Sequence, residues 1–178
     1  RTDGHHCAIF PANGANTPVE IFESDTPLIV EARELVADSG GPGKQRGGLG
    51  RRMVLRVPDD AFAPTPPVTI AVQAGRFRYP PRGMFCGKAG TKARFRKNDL
   101  DADPSGLTFS NPGDTIAFYS AGGGGFGDPL KRDISDIEKD VKFEYVSIEA
   151  ARELYGAAVD SNTLQVDSAA TAALRKEK

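Results

Sequence analysis

The stretch SGGPGKQRGGLG at residues 39–50 decides the fold together with a second stretch, AGGGGFGDP, at residues 121–129. The first stretch carries six glycines, and glycine loses more conformational freedom in a regular element than any other residue. The sequence therefore predicts a loop at residues 39–50, either structured with φ angles that glycine adopts easily or flexible. The second stretch predicts another loop, and the elements around both loops determine the fold class.

Short runs of alternating apolar and polar residues surround the two loops and predict β-strands. In residues 51–57, for example, Met53, Leu55 and Val57 occupy alternate positions. Residues 58–67 carry four prolines, which exclude a central strand there. The predicted strands are 18–23, 28–36, 51–57, 68–74, 107–110 and 114–119.

The stretch at residues 75–97 is basic and aromatic and has two interpretations. Cations interleaved with aromatic rings resemble, in composition, a surface for single-stranded nucleic acid. However, Phe77 and Tyr79 alternate with Arg76 and Arg78, so a half-buried strand explains the pattern without a ligand. The formal net charge of −1 also provides no global basic field. We expect a strand here and no nucleic-acid partner.

The pattern changes from strand to helix near residue 130. Ser135 and Glu138 have the spacing of a capping box and predict the start of one helix. Two further helices are expected to begin after Ser147 and Asp167, and Gly156 stands where a helix end favours glycine.

These elements predict an α+β fold that is mostly β. An antiparallel β-rich body occupies about residues 18–120, and a short helical tail follows. The break in composition divides the chain into a body at 1–130 and a tail at 131–178 that packs on it as one domain.

The glycines at 121–129 follow a predicted strand, as a phosphate-cradling loop does. They lack the Lys-Ser/Thr ending of a P-loop, and Pro129 separates them from any helix. Close packing against the main chain of another domain is therefore favoured over direct phosphate binding. The loop at 39–50 remains open between an anion site and a solvated loop. Its cations are Lys44, Arg46, Arg51 and Arg52.

Other groups with possible chemistry are sparse. His5, His6 and Cys7 lack a second ligand pair at zinc spacing, and the aspartates at 99–103 lack the glycine and glutamate of a calcium loop. Cys7 and Cys86 have no framework spacing, which favours free thiols in a reducing cytoplasm. No run spans a bilayer, so we expect no membrane partner. No catalytic residue is identified and no metal site is expected.

Several motifs in order resemble the hydantoinase B/oxoprolinase family. The likeness extends from residue 13 to about residue 175 and continues into the tail at Asp140-Val141, Glu149-Ala150-Ala151 and Tyr155-Gly156. Its main motifs are Asn16-Thr17-Pro18-Val19-Glu20, residues 38–43 (DSGGPG), residues 46–50 (RGGLG), residues 81–90 (PRGMFCGKAG) and residues 122–129 (GGGGFGDP).

The resemblance implies an ATP-dependent complex. Family members act with a hydantoinase A-type subunit that binds ATP and Mg, and together they hydrolyse cyclic amides such as hydantoins or 5-oxoproline. The family subunit is several times longer, and its divalent metal is held in an N-terminal part whose motif is missing here. We therefore expect this chain to be the C-terminal segment of a cytoplasmic B-type subunit, starting at Arg1 as a fragment, split subunit or processed product.

Two alternatives remain open beside the cyclic-amide hydrolase. Related complexes carboxylate ketones such as acetone or acetophenone, and the chain could also be a non-catalytic scaffold. In each enzymatic case the chain itself is expected to bind no cofactor and to contact the companion subunit and the N-terminal remainder in a hetero-oligomer. The residues predicted to lie near the active site or partner are Gly40, Gly41, Arg46, Gly47, Gly48, Gly122, Gly123, Gly124, Gly125, Gly127 and Asp128.

Overall fold

A computed structural model describes residues 2–7, 17–72 and 75–177. It confirms an α+β fold that is rich in antiparallel strands and ends in a helical tail. The strands are β1 Ile29–Leu35, β2 Arg51–Arg56, β3 Val68–Ala71, β4 Arg94–Lys97, β5 Leu100–Asp101, β6 Leu107–Ser110, β7 Thr115–Tyr119, β8 Ala158–Val159 and β9 Val166–Asp167. The helices are α1 Val19–Asp25, a 3₁₀ turn Pro129–Lys131, α2 Ile134–Lys142, α3 Ile148–Tyr155 and α4 Ser168–Lys176.

The main sheet has five strands in the order β1-β2-β7-β4-β5, and every neighbouring pair is antiparallel. Strand β7 lies at its centre, where Ile116 faces Leu55 across one ladder and Lys97 across the other. The apolar positions buried by the sheet include Val54, Phe95 and Ile116. The first glycine stretch leads directly into β2 and the second follows directly after β7. Because β2 and β7 are antiparallel neighbours, both stretches lie at the same end of these two strands.

The helical tail has its own apolar core. Ile137 and Val141 lie on the buried face of α2 and pack with Ala151 and Tyr155 of α3. The caps of α3 are as expected: the Ser147 hydroxyl accepts from the Ala150 amide, and Gly156 adopts a left-handed φ of 60°. Asp167 caps α4 by accepting from the amides of Ala169 and Ala170.

The strand predicted at residues 18–23 is wrong, because these residues lie in helix α1. A run of six residues is too short for its apolar period to separate a strand from a helix. The local signals favour the helix: Pro18 has a φ of −54°, Glu20 lies in the first turn, and Thr26 closes the last turn with a bond to the Phe22 carbonyl.

The strand predicted through Phe77 and Tyr79 is also wrong. Residues 75–93 form turns and an isolated bridge at Met84, and the strand begins only at Arg94. Arg76 has a φ of 70°, and Pro80 and Pro81 follow, so a regular ladder cannot pass through this stretch. Phe77 is instead fixed by an edge-on contact with Phe118.

The capping box predicted at Ser135 and Glu138 is wrong as well. Asp133 is the N-cap of α2, and Ser135 lies inside the helix. The Glu138 carboxylate accepts from the Val166 amide at 3.0 Å, so it holds the β8–β9 hairpin, which the sequence pattern did not indicate. Residues 1, 8–16 and 178 lie outside the described residues, and so do residues 73–74 of the strand predicted at 68–74.

Candidate functional site: a glycine network and its cleft

Three glycine-rich segments meet at the end of the main sheet where β2 begins and β7 ends, and they form what we call the glycine network. The first segment is 39–50, the second is 81–91 and the third is 121–127. None contains a strand or helix, yet their main chains are hydrogen-bonded across segments. The Gly41 amide donates to the Gly123 carbonyl at 2.7 Å, and the Gly123 amide donates to the Gly48 carbonyl at 2.8 Å.

The second segment is tied to both of the others. The Lys88 amide donates to the Pro42 carbonyl of the first segment at 2.7 Å. The Lys88 carbonyl then accepts from the Gly125 amide of the third segment at 2.9 Å. Each segment therefore satisfies backbone groups of the other two, which buried peptide groups require.

Glycine is needed in the network because the main chains approach too closely for side chains. A Cβ on Gly47 would lie 2.6 Å from the carbonyl carbon of Gly123, and a Cβ on Gly43 would lie 2.6 Å from the Phe126 nitrogen. A Cβ on Gly122 would overlap the Ser39 carbonyl. The loop at residues 39–50 is structured, as one of the two expectations had it. Its φ angles are not the reason for glycine, because all six glycines there have φ values outside the left-handed region.

A cleft of about 790 Å³ opens above the network. One wall is the N-terminal segment with Thr2, Gly4, His5 and Cys7. The floor is formed by the first and third segments and therefore consists largely of main chain. Six of the residues predicted from the sequence line it: Arg46, Gly47, Gly48, Gly122, Gly123 and Gly124.

The other predicted residues lie elsewhere in the network or beside it. Gly40 and Gly41 are buried within the first segment, and Gly125 is packed against Gly41 and Pro42. Gly127 turns the third segment with a φ of 75°. Asp128 caps the 3₁₀ turn by accepting from the Leu130 amide at 3.0 Å, and it borders a smaller hollow of about 340 Å³.

The residues His6 and Cys7 are attached to the floor of the cleft. The His6 Nδ1 atom accepts from the Leu49 amide at 3.0 Å, and its ring lies 4.8 Å from that of Tyr145. Burial and the nearby Arg46 charge lower the pKa of His6, so its imidazole is neutral at pH 7. Burial raises the pKa of the Cys7 thiol, which is therefore a poor nucleophile.

The described residues do not fit a metal ion. Among them, no group of three or more His, Cys, Asp or Glu side chains is arranged to hold one. Asp99 and Asp101 of the predicted aspartate cluster instead contact the Arg96 guanidinium. Cys7 and Cys86 are free thiols.

A buried ionic cluster joins the N-terminal segment, the glycine network and the helical tail. Arg132, which is 1% exposed, donates to both Asp3 carboxylate oxygens at 2.8 and 2.6 Å and to Asp140 at 2.8 Å. Arg46 donates to the other Asp140 oxygen at 3.2 Å and to the Gly47 carbonyl at 2.8 Å. Each carboxylate therefore meets at least one guanidinium, as burial of charge demands.

The contacts within the cluster stabilise the charged forms of Arg132 and Asp3. Burial lowers the pKa of Arg132, but the hydrogen bond to Asp3 and the charges of Asp140 and Asp3 outweigh burial and raise it. Burial also acts to raise the pKa of Asp3, yet the Arg132 hydrogen bond and charge bring it below its usual range. For Asp140, burial outweighs the Arg132 and Arg46 charges and raises the pKa.

This cluster explains why the cations of residues 39–52 do not form one exposed anion site. The Arg46 side chain is 3% exposed and turned toward Asp140, while Arg52 pairs with Glu34 at 2.6 Å. Sequence reasoning missed Asp3, Arg132 and Asp140 as partners, because they are separated by up to 129 positions. The sequence held one indication of the cluster, because Asp140 places a charge on the apolar face of α2.

The fold and the cleft define a β-rich α+β protein whose loops pack main chain against main chain. Residues 1–129 match a family model described as Hydantoinase B/oxoprolinase. The chain belongs to this family, which confirms the resemblance of its glycine motifs.

Two relatives extend the match into the helical tail. The beta subunit of the caprolactamase of Pseudomonas jessenii is 33% identical over 170 residues, 88% of this chain. The B-type subunit of a putative D-/L-hydantoinase of Pseudomonas sp. (strain NS671) is 32% identical over 93% of the chain. The chain spans about a quarter of these relatives, 27% and 28% of their lengths.

Two solved structures share the fold. The ATP-dependent caprolactamase from Pseudomonas jessenii matches 89% of this chain with a TM-score of 0.72 and 31% identity. A nucleotide-free acetone carboxylase matches 99% of the chain with a TM-score of 0.73 and 25% identity. Each match covers 28% of the solved chain. Among the described residues, none of the helices has the length and apolar character needed to cross a membrane.

Proposed function

We propose that this chain is the C-terminal segment of a B-type subunit of an ATP-dependent cyclic-amide hydrolase. The observation that carries the proposal is the match to the beta subunit of a caprolactamase along 88% of the chain at 33% identity. The family model supports the same class, since its description includes oxoprolinase. The identity to the solved caprolactamase, 31%, also exceeds the 25% to acetone carboxylase.

In this proposal the chain contributes structure around the reacting groups. The cleft floor of main chain offers amide and carbonyl groups held in place by the network bonds between Gly41, Gly123 and Gly48. The ionic cluster fixes the wall at Asp3 to the tail at Arg132. Because these parts are held before any ligand arrives, they can position a substrate or a neighbouring chain with little loss of entropy.

The cofactors in this proposal are held by other parts of the assembly. ATP and Mg bind to a hydantoinase A-type companion subunit, and the divalent metal binds in the N-terminal remainder of the B-type subunit. The chain would contact both parts within a hetero-oligomer.

The proposal is tested with the full-length subunit co-expressed with its A-type companion. We expect the complex to open the ring of caprolactam, hydantoin or 5-oxoproline in a reaction that requires ATP and releases ADP. Mass spectrometry of the product measures the ring opening. A Cβ on Gly124 would overlap the Arg82 carbonyl, so Gly124→Val should lower assembly or turnover. Gly106→Val is the matched control, because nothing lies within 4 Å of a Cβ at Gly106. Wild-type turnover by Gly124→Val would contradict the role of the network.

A second candidate is ATP-dependent ketone carboxylation, which the 99% coverage by acetone carboxylase favours. ATP consumption with acetone or acetophenone that depends on bicarbonate, with no amide hydrolysis, would select it. A purified protein with neither activity and no companion would instead indicate a non-catalytic scaffold.

A further inference from the structure

The N-terminal segment, residues 2–7, forms one wall of the cleft without belonging to a sheet or a helix. Its main chain rests directly on the cleft floor. The Gly4 amide donates to the Arg46 carbonyl at 2.8 Å, and a Cβ on Gly4 would overlap the Gly48 nitrogen. A Cβ on Gly48 would in turn overlap the His5 carbonyl oxygen. The segment therefore covers the main chain of the floor at Gly48.

Polar contacts hold this segment on the floor. None of residues 2–7 is fully buried, so the burial of apolar surface contributes little to the attachment. The Asp3 carboxylate accepts from the Arg46 amide at 2.8 Å, and His6 Nδ1 accepts from the Leu49 amide at 3.0 Å. Segments with few buried apolar contacts belong to the part of a protein that opens at a low cost in free energy.

The strongest attachment of the segment is the ion pair between Asp3 and Arg132. Both Asp3 oxygens accept from the Arg132 guanidinium, at 2.8 and 2.6 Å, and such paired charge-assisted bonds are among the strongest hydrogen bonds in proteins. Arg132 also donates to Asp140 at 2.8 Å, and its carbonyl accepts from Arg175 at 2.9 Å. Because these contacts join Arg132 to helices α2 and α4, its position does not depend on Asp3.

The parts of the molecule that the ion pair connects to the segment are held more firmly. The floor is bonded to the third glycine-rich segment, where the Gly123 amide donates to the Gly48 carbonyl at 2.8 Å. The tail packs around Ile137 and Tyr155, which are each 1% exposed. The ion pair thus attaches a weakly packed wall to two rigid parts of the chain.

We propose that the N-terminal segment is a movable wall of the cleft, which opens as one unit and is latched shut by the Asp3–Arg132 ion pair. Only two residues separate Asp3 from His6, so the segment is too short to open at one end and stay bonded at the other. Opening uncovers the main chain of Gly48 and widens the cleft. The tail, which contributes no lining residue within the described part of the chain, thereby controls access to the cleft.

This device needs neither a companion subunit nor a particular reaction, so its failure would leave the proposed function standing. The test is hydrogen exchange of the full-length subunit in increasing urea, followed by mass spectrometry with fragmentation that resolves single amides. The amides of Gly4, Arg46 and Leu49 should exchange with one common opening free energy that is nearly independent of urea, because opening exposes little surface. The reference is the Ala157 amide, bonded to the Ala151 carbonyl at 3.0 Å in the tail core. It should exchange more slowly and depend strongly on urea.

Two variants open the wall by different routes. Asp3→Asn removes the charge of the latch and keeps an oxygen for the Arg46 amide, and it should accelerate the exchange of all three amides at least about tenfold. Gly4→Ala forces a Cβ against the Gly48 nitrogen without changing the ion pair, and it should accelerate the same three amides. The matched control is Asp136→Asn, which makes the same change of charge in an exposed pair with Lys139 and should leave their exchange at the wild-type rate.

The urea dependence of the wild type is decisive even if a variant does not fold. If the three amides showed the same dependence as Ala157, the wall would open only when the whole chain unfolds, and the device would be overturned. Faster exchange of Gly4 and Arg46 without Leu49 in Asp3→Asn would show fraying from one end and would overturn the single unit. Unchanged exchange of all three amides in Asp3→Asn would overturn the latch.

Discussion

Replacing Gly47 with alanine tests whether the network glycines serve close main-chain packing. The new Cβ would lie 2.6 Å from the Gly123 carbonyl carbon and 2.9 Å from the Gly124 carbonyl oxygen. Ordinary contact begins near 3.4 Å, so the first and third segments must separate by at least about 0.8 Å, because the Gly123 carbonyl oxygen lies closer still to the new Cβ. That movement stretches the Gly41–Gly123 and Gly123–Gly48 hydrogen bonds, now 2.7 and 2.8 Å long, beyond useful length.

The expected cost follows from those two bonds. Losing each of the two bonds costs about 1–3 kcal/mol, so the variant should lose about 2–6 kcal/mol of unfolding free energy. In a chain of this size, that loss lowers the melting temperature by about 4–24 °C. Urea unfolding should show a lower midpoint with an unchanged slope, because the surface exposed on unfolding is the same.

The matched control is Gly106→Ala, since nothing lies within 4 Å of a Cβ at Gly106. It should be neutral or stabilising by up to about 1 kcal/mol, because alanine restricts the unfolded chain. Equal melting temperatures for Gly47→Ala and Gly106→Ala would refute the role of close packing. If activity alone were lost, Gly47 would be needed for an approaching ligand instead.

Two further predictions concern charged groups. Asp140→Asn leaves the buried Arg132 and Arg46 guanidiniums without their shared carboxylate and should lower the unfolding free energy by about 3–5 kcal/mol in urea titrations. The control is Asp136→Asn, in an exposed pair with Lys139, which should change the unfolding free energy by less than about 1 kcal/mol. Equal losses in the two variants would contradict the role given to Asp140. The hydrogen bonds from Asn98 and Lys97 lower the pKa of Asp114 to about 2. Because this pKa is depressed in the folded state, the contribution of Asp114 to stability is present above its ordinary pKa near 4 and is lost as pH falls toward 2. Carbon-13 titration by NMR should give the low value, and an ordinary pKa in the folded protein would contradict the assignment.

Much of the β body could be predicted because its signals are local. Strand β6 alternates apolar and polar side chains, β1 and β2 mix apolar residues with charges, and β7 is a short apolar run that follows turn residues. These patterns are visible without knowing the partner strands. The caps of α3 and α4 were equally accessible, since Ser147 and Asp167 contact amides two or three positions away.

The site was predictable only in part, because its contacts are not local. Glycine runs indicated close approach between main chains, and several of these glycines do line the cleft. The sequence did not indicate that the opposing main chains belong to the same chain, as in the contact between Gly122 and Ser39. The ionic cluster was equally hidden, because a charged residue gives no sign of a partner 94 positions away, as Arg46 and Asp140 are.

The glycine network also has a consequence for how this region can change through evolution. In a core of side chains, an added methyl group can be accommodated when neighbours switch rotamers. At Gly41, Gly47 and Gly125 the neighbours are peptide groups, which have no rotamers to switch. Substitution there must be answered by moving whole segments, so tolerated sequence variation should concentrate on the proline-rich link at residues 58–67 rather than on the cleft floor.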